Sequence, residues 1–368
     1  MINPIAHRAD GGSTGRADRL MNDGSSPPSL LASSPRVLVG HGGGGRLTQQ
    51  LIEEMFLPAF GDAHLAELHD GAVLSLGGTR VAISTDSFVV TPLFFPGGDI
   101  GELAVNGTVN DLAMCGAIPQ YLTLGLILEE GLPMETLWRV VQSVDKAARR
   151  AGVSVVTGDT KVVEHGREPG LYINTAGIGV VPDGIDISPR RARPGDVVLL
   201  NGAIAIHGTA VMSVREGLDF ETSLESDTAP LAELVGALLS KLGSSVHTLR
   251  DPTRGGVATA LNEIASSAGV GIEVNESAVP VWPDVAGACE ILGLEPLYIA
   301  NEGKVLAIVD RDVAEAALDL LREDPLGTEA VAIGRVVEDH PGRVVLQSTI
   351  GGSRVLDLLS GEQLPRIC

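Results

Sequence analysis

Strands alternate with helices along this 368-residue chain, and the pattern occurs once in each half. In the first half, apolar strand-like segments over Tyr121–Leu128 and Leu171–Val181 flank a helical stripe around Val144. In the second half, Val197–Leu200 reads as a strand and Val257–Ala268 as a helix. This alternation, with its mixed spacing, predicts an α+β fold with mixed β-sheets and helices packed on one side.

Length and composition predict how the chain is divided. A chain of 368 residues exceeds the size of one usual core, and 44% hydrophobic residues are enough to bury two. The first residues are rich in Gly, Ser and Pro without periodicity, which predicts a disordered extension. Turn residues and charges between Pro182 and Pro194 place the domain boundary near residue 190. The predicted segments are the extension 1–34, a first domain 35–190, a second α/β domain 191–350 and a mobile tail 351–368.

Charge and cysteine content exclude several classes of protein. A formal net charge of −21 disfavours nucleic acid as a partner, because the phosphate backbone is also negative. The sequence has no apolar run approaching the roughly 20 residues of a membrane span, and its start lacks the apolar core of a secretion signal. Three cysteines leave at least one unpaired, which favours a reducing cytoplasm over a disulfide framework.

A glycine cluster from Gly40 to Arg46 can wrap a phosphate. Glycines let successive backbone N–H groups converge on an anion, and the following helix adds its positive end. The cluster is not a Walker loop, because no Lys-Ser/Thr pair follows it. A mobile linker remains the alternative.

Three acidic segments in the first domain share one pattern. Asp86 and Asp159 follow strand-like residues, and Asp111 lies in a helix of small residues. Carboxylate oxygens of this type hold Mg²⁺ bridging ATP phosphates, and Lys161 beside them can neutralise a transferring phosphoryl group. Each Asp alone is more simply a cap or turn residue, whereas the set of three indicates a metal–nucleotide site.

Other polar residues stand out in apolar surroundings. Asn106 and Asn110 are spaced i,i+4 and share one helix face, which is either functional or simply solvated. Arg254 precedes two glycines at a helix start and can help to bind an anion. Glu302 is either a pocket carboxylate or part of a turn between strands.

The chain ends in Cys368. From Ser360 an extended tail reaches roughly 25–28 Å, enough to carry the thiol into a pocket and out again. A frayed end with an incidental cysteine is the alternative.

These segments together resemble a known family. The matching motifs, in order, are the glycine cluster, Thr85-Asp86-Ser87, the run from Gly101 to Leu112, Gly158-Asp159-Thr160-Lys161, the run from Asp251 to Gly256, and Asn301-Glu302-Gly303. They are similar to the aminoimidazole ribonucleotide synthetase superfamily of ATP-dependent enzymes, which includes thiamine-monophosphate kinase and selenophosphate synthetase. The terminal Pro365-Arg366-Ile367-Cys368 narrows the resemblance to its hydrogenase expression/formation branch. The match runs from about residue 36 to the end.

The resemblance implies a reaction and partners. A carbamoyltransferase, HypF, loads a carbamoyl group on the sulfur of Cys368, and ATP then drives its dehydration to a thiocyanate. The cyano group passes through a HypC–HypD complex to the iron of [NiFe] hydrogenase. The family also implies a homodimer formed by the first domains, with two-domain architecture and cofactors ATP and Mg²⁺.

The resemblance also suggests roles for individual residues. Asp86, Asp111 and Asp159 are expected to hold Mg²⁺–ATP, and Lys161 to stabilise the transferring group. The other expected nucleotide-binding residues are Gly42, Gly43, Gly44, Gly45, Asn110 and Thr160. Asn106 and Arg254 are expected to orient the carbamoyl group or phosphate. Glu302 is the expected base for the carbamoyl nitrogen, with His41 and His207 as weaker alternatives.

Two other functions fit parts of the sequence. One is a small-molecule kinase or synthetase of the same superfamily, for which the tail is irrelevant. The other is a non-catalytic interaction module whose tail docks onto a partner. The three acidic segments favour an enzyme.

Overall fold

A computed structural model describes residues 36–164, 170–217 and 224–359 of the chain. The predicted extension 1–34 and the terminal Cys368 lie outside the described residues. The longer helices are α1 (Arg46–Leu51), α2 (Leu57–Phe60), α3 (Ile100–Met114), α4 (Met134–Arg150), α5 (Ile206–Arg215), α6 (Ala232–Leu242), α7 (Gly256–Ala268), α8 (Pro283–Leu292) and α9 (Ala314–Glu323). None of the helices in these described ranges is both long and apolar enough to span a membrane.

The strands form two large sheets and one short hairpin. The first seven are β1 (Ala72–Leu76), β2 (Thr79–Phe88), β3 (Phe94–Phe95), β4 (Gly98–Asp99), β5 (Ile118–Glu129), β6 (Ser154–Val163) and β7 (Leu171–Val180). The others are β8 (Val197–Leu200), β9 (Val246–Arg250), β10 (Gly271–Asn275), β11 (Leu306–Val309), β12 (Val331–Val337), β13 (Arg343–Gln347) and β14 (Ser353–Leu356).

The first sheet has five strands in the order β1-β2-β7-β5-β6. Only the β5–β6 pair is parallel, and the other pairs are antiparallel. Helix α3 packs on β2 and β7, and α4 packs against α3. The sheet therefore has one face covered by helices, and β6 forms its edge.

The second sheet has seven strands in the order β14-β13-β10-β12-β8-β11-β9. It is mixed, since β10 pairs with β13 in parallel while its neighbours are antiparallel. Helix α7 contacts β10 and β13. The predicted α+β class, with mixed sheets and helices packed on them, is confirmed.

Helix α3 joins the two halves. Asp99 caps it by accepting hydrogen bonds from the backbone N–H groups of Gly101 and Glu102. Small residues let it approach the sheet closely: a Cβ at Gly107 would lie 2.8 Å from the ring of Phe88. At its C-terminal end, Leu112 belongs to the same buried cluster as residues of the second sheet. Nearly every α3 side chain is buried, because both halves of the molecule pack on it.

Strands β1 and β9 and helix α8 are among the elements that the sequence did not predict. Strand β9 contains His247, Thr248 and Arg250 among its five residues, and all five are buried. A polar composition does not indicate a buried strand. These side chains can be buried because they pair with acidic residues and backbone carbonyls. Strand β1 and helix α8 are short, and α8 carries Gly287 in its interior.

The end of the described chain is ordered by the second sheet. The predicted tail starts at residue 351, yet β14 pairs antiparallel with β13, with Val355 opposite Val345. The described backbone then continues to Leu359.

Candidate functional site

Three carboxylates from different parts of the fold meet at the junction of the two halves. Asp70 precedes β1, Asp111 lies in the last turn of α3, and Asp251 directly follows β9. One ligand oxygen from each lies within 4.8 Å of the other two. We call this set the acidic cluster.

The acidic cluster is electrostatically strained. Burial raises the pKa of Asp111 well above its ordinary value, and the charges of Asp251, Asp86 and Asp70 raise it further. Burial and the charge of Asp70 likewise raise the pKa of Asp251, although Arg250 opposes this. One oxygen of Asp70 is buried with no hydrogen-bond partner among the described residues. Crowded carboxylate oxygens of this kind are what a hard divalent cation such as Mg²⁺ coordinates, so the residues fit that ion.

Protein groups offset only part of this charge. Ser84 donates to Asp111 at 2.6 Å, and the Arg250 Nε lies 3.2 Å from Asp70. Arg250 also pairs with Glu263 and donates to the backbone carbonyl of Leu68. Burial opposes the charged form of Arg250, but the surrounding carboxylates raise its pKa overall. This guanidinium therefore stays charged and fixes one side of the cluster.

The glycine cluster lies against the same region through Arg254. Gly44 has a φ of +75°, and a Cβ there would lie 2.8 Å from the Arg254 carbonyl oxygen, so only glycine fits without strain. The guanidinium of Arg254 lies 3.6 Å from Asp86. Asp86 in turn is one of the charges that raise the pKa of Asp111. The structure thus links three predicted residues, Gly44, Arg254 and Asp86, to the acidic cluster.

Asp159 lies on the other face of the first sheet. Asp86 pairs in register with Thr175, whose hydroxyl donates to the α3 carbonyl of Ala104, so this face is the one that the helices cover. Asp159 pairs with Gly125, and Gly125 pairs with Asn174. Because side chains alternate along a strand, Asp159 points away from α3. Within one chain, Asp159 is therefore not brought to Asp86 and Asp111.

The residues around Asp159 are open to solvent. Lys161 pairs with Asp159 at 2.6 Å, and both side chains are 69% exposed. That contact is the main cause that lowers the pKa of Asp159. Thr160 lies between them on the exposed edge strand β6. Their roles in nucleotide binding stay predictions.

Glu302 is buried beside the acidic cluster. Burial raises its pKa well above the ordinary value, followed by the charges of Asp251, Asp86 and Asp227, while Arg254 opposes them. One carboxyl oxygen of Glu302 has no hydrogen-bond partner among the described residues. A carboxyl group in this position can accept a proton from a bound substrate.

The two asparagines of α3 differ in their hydrogen bonds. Asn110 donates to the carbonyls of Ala229 and Glu302 and accepts from the N–H of Leu231, so its amide is fully engaged in joining the halves. Asn106 donates to Thr228 at 3.1 Å, but its amide oxygen is buried without a partner in the described chain. Asn106 is therefore the better placed of the two to contact a ligand.

The two histidines considered as alternative bases are both buried. His41 accepts a hydrogen bond from the backbone N–H of Leu38 through Nδ1. His207 lies 2.8 Å from the hydroxyl of Ser226 and packs edge-on against Phe95. Both rings make local structural contacts.

The base of the tail lies next to the glycine cluster. The N–H of Arg46 donates to the carbonyl of Leu359 at 3.0 Å, and its guanidinium pairs with Asp357. Tyr298 also donates to the backbone carbonyl of Asp357, at 2.8 Å. A Cβ at Gly45 would lie 2.6 Å from the Leu359 carbonyl oxygen. The described chain therefore ends beside the glycine cluster.

Sequence reasoning missed two members of the acidic cluster. Asp251 stood in a recognised motif but received no role, and Asp70 was not noticed. A signal was present for Asp70, because the strand-like segment Ala72–Leu76 follows it closely in the sequence.

The comparisons with known proteins agree with this architecture. Family models for the AIR synthase related protein match residues 68–181 (N-terminal domain) and 193–347 (C-terminal domain). The carbamoyl dehydratase HypE of Cupriavidus necator is 53% identical over 340 residues, which is 92% of this chain and 97% of that protein.

Solved structures show the same relationship. A HypE–HypF complex contains a chain that is 48% identical with a TM-score of 0.79, covering 84% of this chain and 99% of that one. A hydrogenase maturation protein HypE in complex with ATP is 50% identical with a TM-score of 0.76, covering 90% and 100%. The chain therefore belongs to the HypE family of carbamoyl dehydratases, within the AIR synthase related proteins.

Proposed function

We propose that this chain is an ATP-dependent carbamoyl dehydratase of [NiFe] hydrogenase maturation, which converts an S-carbamoyl group on Cys368 into a thiocyanate. Relatives about half identical over nearly the whole chain are carbamoyl dehydratases, and one related structure holds ATP. The observation that carries the proposal is the position of Leu359. The tail starts beside the glycine cluster, so the nine residues after Leu359 can reach a nucleotide held there.

The chemistry requires an activated oxygen. In the thiocarbamate, Cys368–S–C(=O)–NH₂, oxygen cannot leave as hydroxide. Transfer of the γ-phosphoryl group of ATP to that oxygen makes it part of a phosphate, which leaves with the C–O electron pair. The nitrogen loses both protons and forms the S–C≡N group. The products are the thiocyanate, ADP and phosphate, and the thiocyanate carbon and nitrogen become the cyanide ligand of the iron.

The acidic cluster is proposed to bind Mg²⁺. Its oxygens come from Asp70, Asp111 and Asp251, and the charge of Asp86 also acts on Asp111. A buried oxygen of Asp70 that accepts no hydrogen bond from the described residues supports this assignment. When bound, the cation offsets phosphate charge on ATP. Without it, an uncompensated acidic cluster repels the nucleotide.

The remaining residues position the reactants. Backbone N–H groups of the glycine cluster and the guanidinium of Arg254 bind phosphate oxygens. Asn106 orients the carbamoyl group with its amide oxygen, which has no hydrogen-bond partner in the described part of the chain. Glu302 takes a proton from the carbamoyl nitrogen. Its raised pKa makes its ionised form a stronger proton acceptor than an ordinary glutamate.

A second copy of the chain is the proposed partner of the first sheet. The uncovered face of this sheet exposes apolar side chains, including those of Tyr121 and Ile127 of β5. Every residue of β6 is also exposed. Apolar surface of this kind marks a protein interface. Such a homodimer places Asp159 and Lys161 at the interface, where they can contribute to a nucleotide site.

The other proposed partners follow the reaction. HypF supplies the carbamoyl group, in keeping with the related HypE–HypF complex. A HypC–HypD complex is the proposed acceptor of the cyano group. We also propose a cytoplasmic location, which agrees with the free buried thiols of Cys115 and Cys289.

One experiment separates this function from a small-molecule kinase of the same fold. ADP release is measured for the full-length chain after loading by HypF, for a Cys368→Ala variant, and for a chain lacking residues 363–368. The proposal expects ADP release coupled to dehydration in the loaded wild-type chain and none above background in the other two, with ATP binding retained in all three. Equal turnover by the truncated chain would support the kinase and contradict the dehydratase.

A further inference from the structure

We infer that Asp227 is a positioning residue that holds Glu302 in place, with Lys304 as its ion-pair partner. The inference rests on the proposed function, in which Glu302 accepts a proton from the carbamoyl nitrogen. None of the sequence motifs or roles described above includes Asp227.

Asp227 contacts three successive residues of one turn. Its Oδ1 accepts a hydrogen bond from the backbone N–H of Glu302 at 3.1 Å, and its Oδ2 lies 3.3 Å from the Nζ of Lys304. Between them, a Cβ at Gly303 would lie 1.9 Å from the Asp227 carbonyl oxygen. The backbone of Asp227 is therefore pressed against the turn that carries Glu302, and only glycine at 303 permits it.

The backbone carbonyl of Glu302 is also held by hydrogen bonds. Its carbonyl accepts from the N–H of Ala229 at 3.4 Å and from the side chain of Asn110 at 3.3 Å. Both backbone groups of Glu302 are thus engaged, while one carboxyl oxygen is left without a partner in the described chain. A buried acid whose backbone is fixed and whose oxygen is unused is suited to contact a substrate.

Asp227 also sets the charge around Glu302. Burial is the first cause of the high pKa of Glu302, then the charges of Asp251, Asp86 and Asp227, while Arg254 acts in the opposite direction. The side chains of Asp227 and Lys304 are only 5% and 11% exposed, so solvent screens this pair weakly. We therefore expect loss of the Asp227 charge to lower the pKa of Glu302, and loss of the neighbouring Lys304 charge to raise it.

The test compares variants of the full-length, carbamoyl-loaded chain. Asp227→Asn keeps an oxygen for the Glu302 N–H and removes the charge, whereas Asp227→Ala removes both. We expect kcat to fall about 10- to 100-fold in Asp227→Ala and less in Asp227→Asn, with KM for ATP changed less than about 3-fold. An unchanged kcat in Asp227→Ala overturns the inference.

The pH profile separates a charge effect from simple loss of structure. The acid limb of kcat should move to lower pH in Asp227→Asn and to higher pH in Lys304→Met, and return towards wild type in the double variant. A structural defect does not give shifts of opposite sign. Limbs that move in the same direction, or do not move, contradict the inference.

A spectroscopic titration keeps this result independent of turnover. The infrared carbonyl band of protonated Glu302, identified as the band missing in Glu302→Gln, is followed against pH in the unloaded chain. Its midpoint should fall in Asp227→Asn even if Glu302 proves not to be the base. An unchanged midpoint contradicts the inference alone, whereas full activity of Glu302→Gln contradicts only the proposed role of Glu302.

Discussion

The backbone N–H of Arg46 donates a hydrogen bond to the carbonyl of Leu359 at 3.0 Å, joining two residues 313 positions apart in the sequence. Arg46 is the last residue of the glycine cluster, and Leu359 is the last described residue before the terminal segment. The glycine cluster is thus in direct contact with the residue at which the tail begins. This contact fixes Leu359 beside the glycine cluster, and we expect a displacement of Leu359 to misplace the cysteine that follows it in the sequence.

The base of the tail is sensitive to the size of residue 45. Gly45→Ala places a Cβ 2.6 Å from the Leu359 carbonyl oxygen, closer than real contacts allow, so the tail base must move. We expect kcat for dehydration to fall by roughly 100-fold, because a displacement of about 1 Å has that effect on a reacting group. Gly236→Ala on α6 is the control, since nothing lies within 4 Å of its Cβ. A Gly45→Ala variant as active as this control contradicts the fixed base.

Asn110 is expected to matter for stability. Its side chain makes three hydrogen bonds that join α3 to the second half. Asn110→Ala removes the side-chain partner of the Ala229 carbonyl and of the Leu231 N–H, both buried, and should lower the free energy of unfolding by about 2–4 kcal/mol. Urea denaturation measures this change. Asn106→Ala, which breaks one such bond, should cost clearly less, and the reverse order would be inconsistent with the assigned contacts.

The acidic cluster should destabilise the chain without a cation and stabilise it with one. In EDTA, Asp251→Asn removes one buried charge from a repelling set and should raise stability by about 1–3 kcal/mol. Mg²⁺ should raise the Tm of the wild-type chain more than that of the variant. Thermal unfolding with EDTA or Mg²⁺ measures both effects.

The control for this measurement is Asp159→Asn. Asp159 lies on the opposite, exposed face of the first sheet, so the change should leave both Tm values near wild type. If Asp251→Asn lowers the Tm in EDTA, or if Mg²⁺ raises the Tm of both variants equally, the acidic cluster is not the cation site.

We expect the uncovered face of the first sheet to form the dimer interface. Ile127→Asp places a charge on that face, near the C-terminal end of β5, and should convert a dimer to a monomer in size-exclusion chromatography with light scattering. Val214→Asp on α5 is a matched control, because both valine and isoleucine are 45% exposed. Dissociation of both variants, or of neither, would argue against this interface.

The sequence predicted the fold class and many of its elements because their apolar periodicity is plain. Strand β8 was predicted at its observed bounds, and helix α7 to within one residue at its start. Strand β9 was missed because pairing across the fold, which no local pattern reveals, satisfies its buried polar side chains. Arg250 of β9, for example, is paired with Asp70 and Glu263.

The sequence identified many residues of the candidate site, but it did not show which of them lie close together. Asp86, Arg254 and Gly44 are linked in space although 210 positions separate Gly44 from Arg254. Asp159 was grouped with Asp86 because both follow strand-like residues and match motifs of the family, but the strand register places the two on opposite faces of the sheet. Register depends on pairing between distant strands, so a single sequence does not specify it.

The most direct test of the account is the mass of the C-terminal peptide. The full-length chain is loaded by HypF and carbamoyl phosphate, then digested with and without prior incubation with Mg²⁺–ATP. ATP should change the Cys368 adduct from carbamoyl to cyano, which is a loss of one water. The Glu302→Gln variant should keep the carbamoyl form. A carbamoyl adduct that persists unchanged after ATP has been consumed would contradict the account.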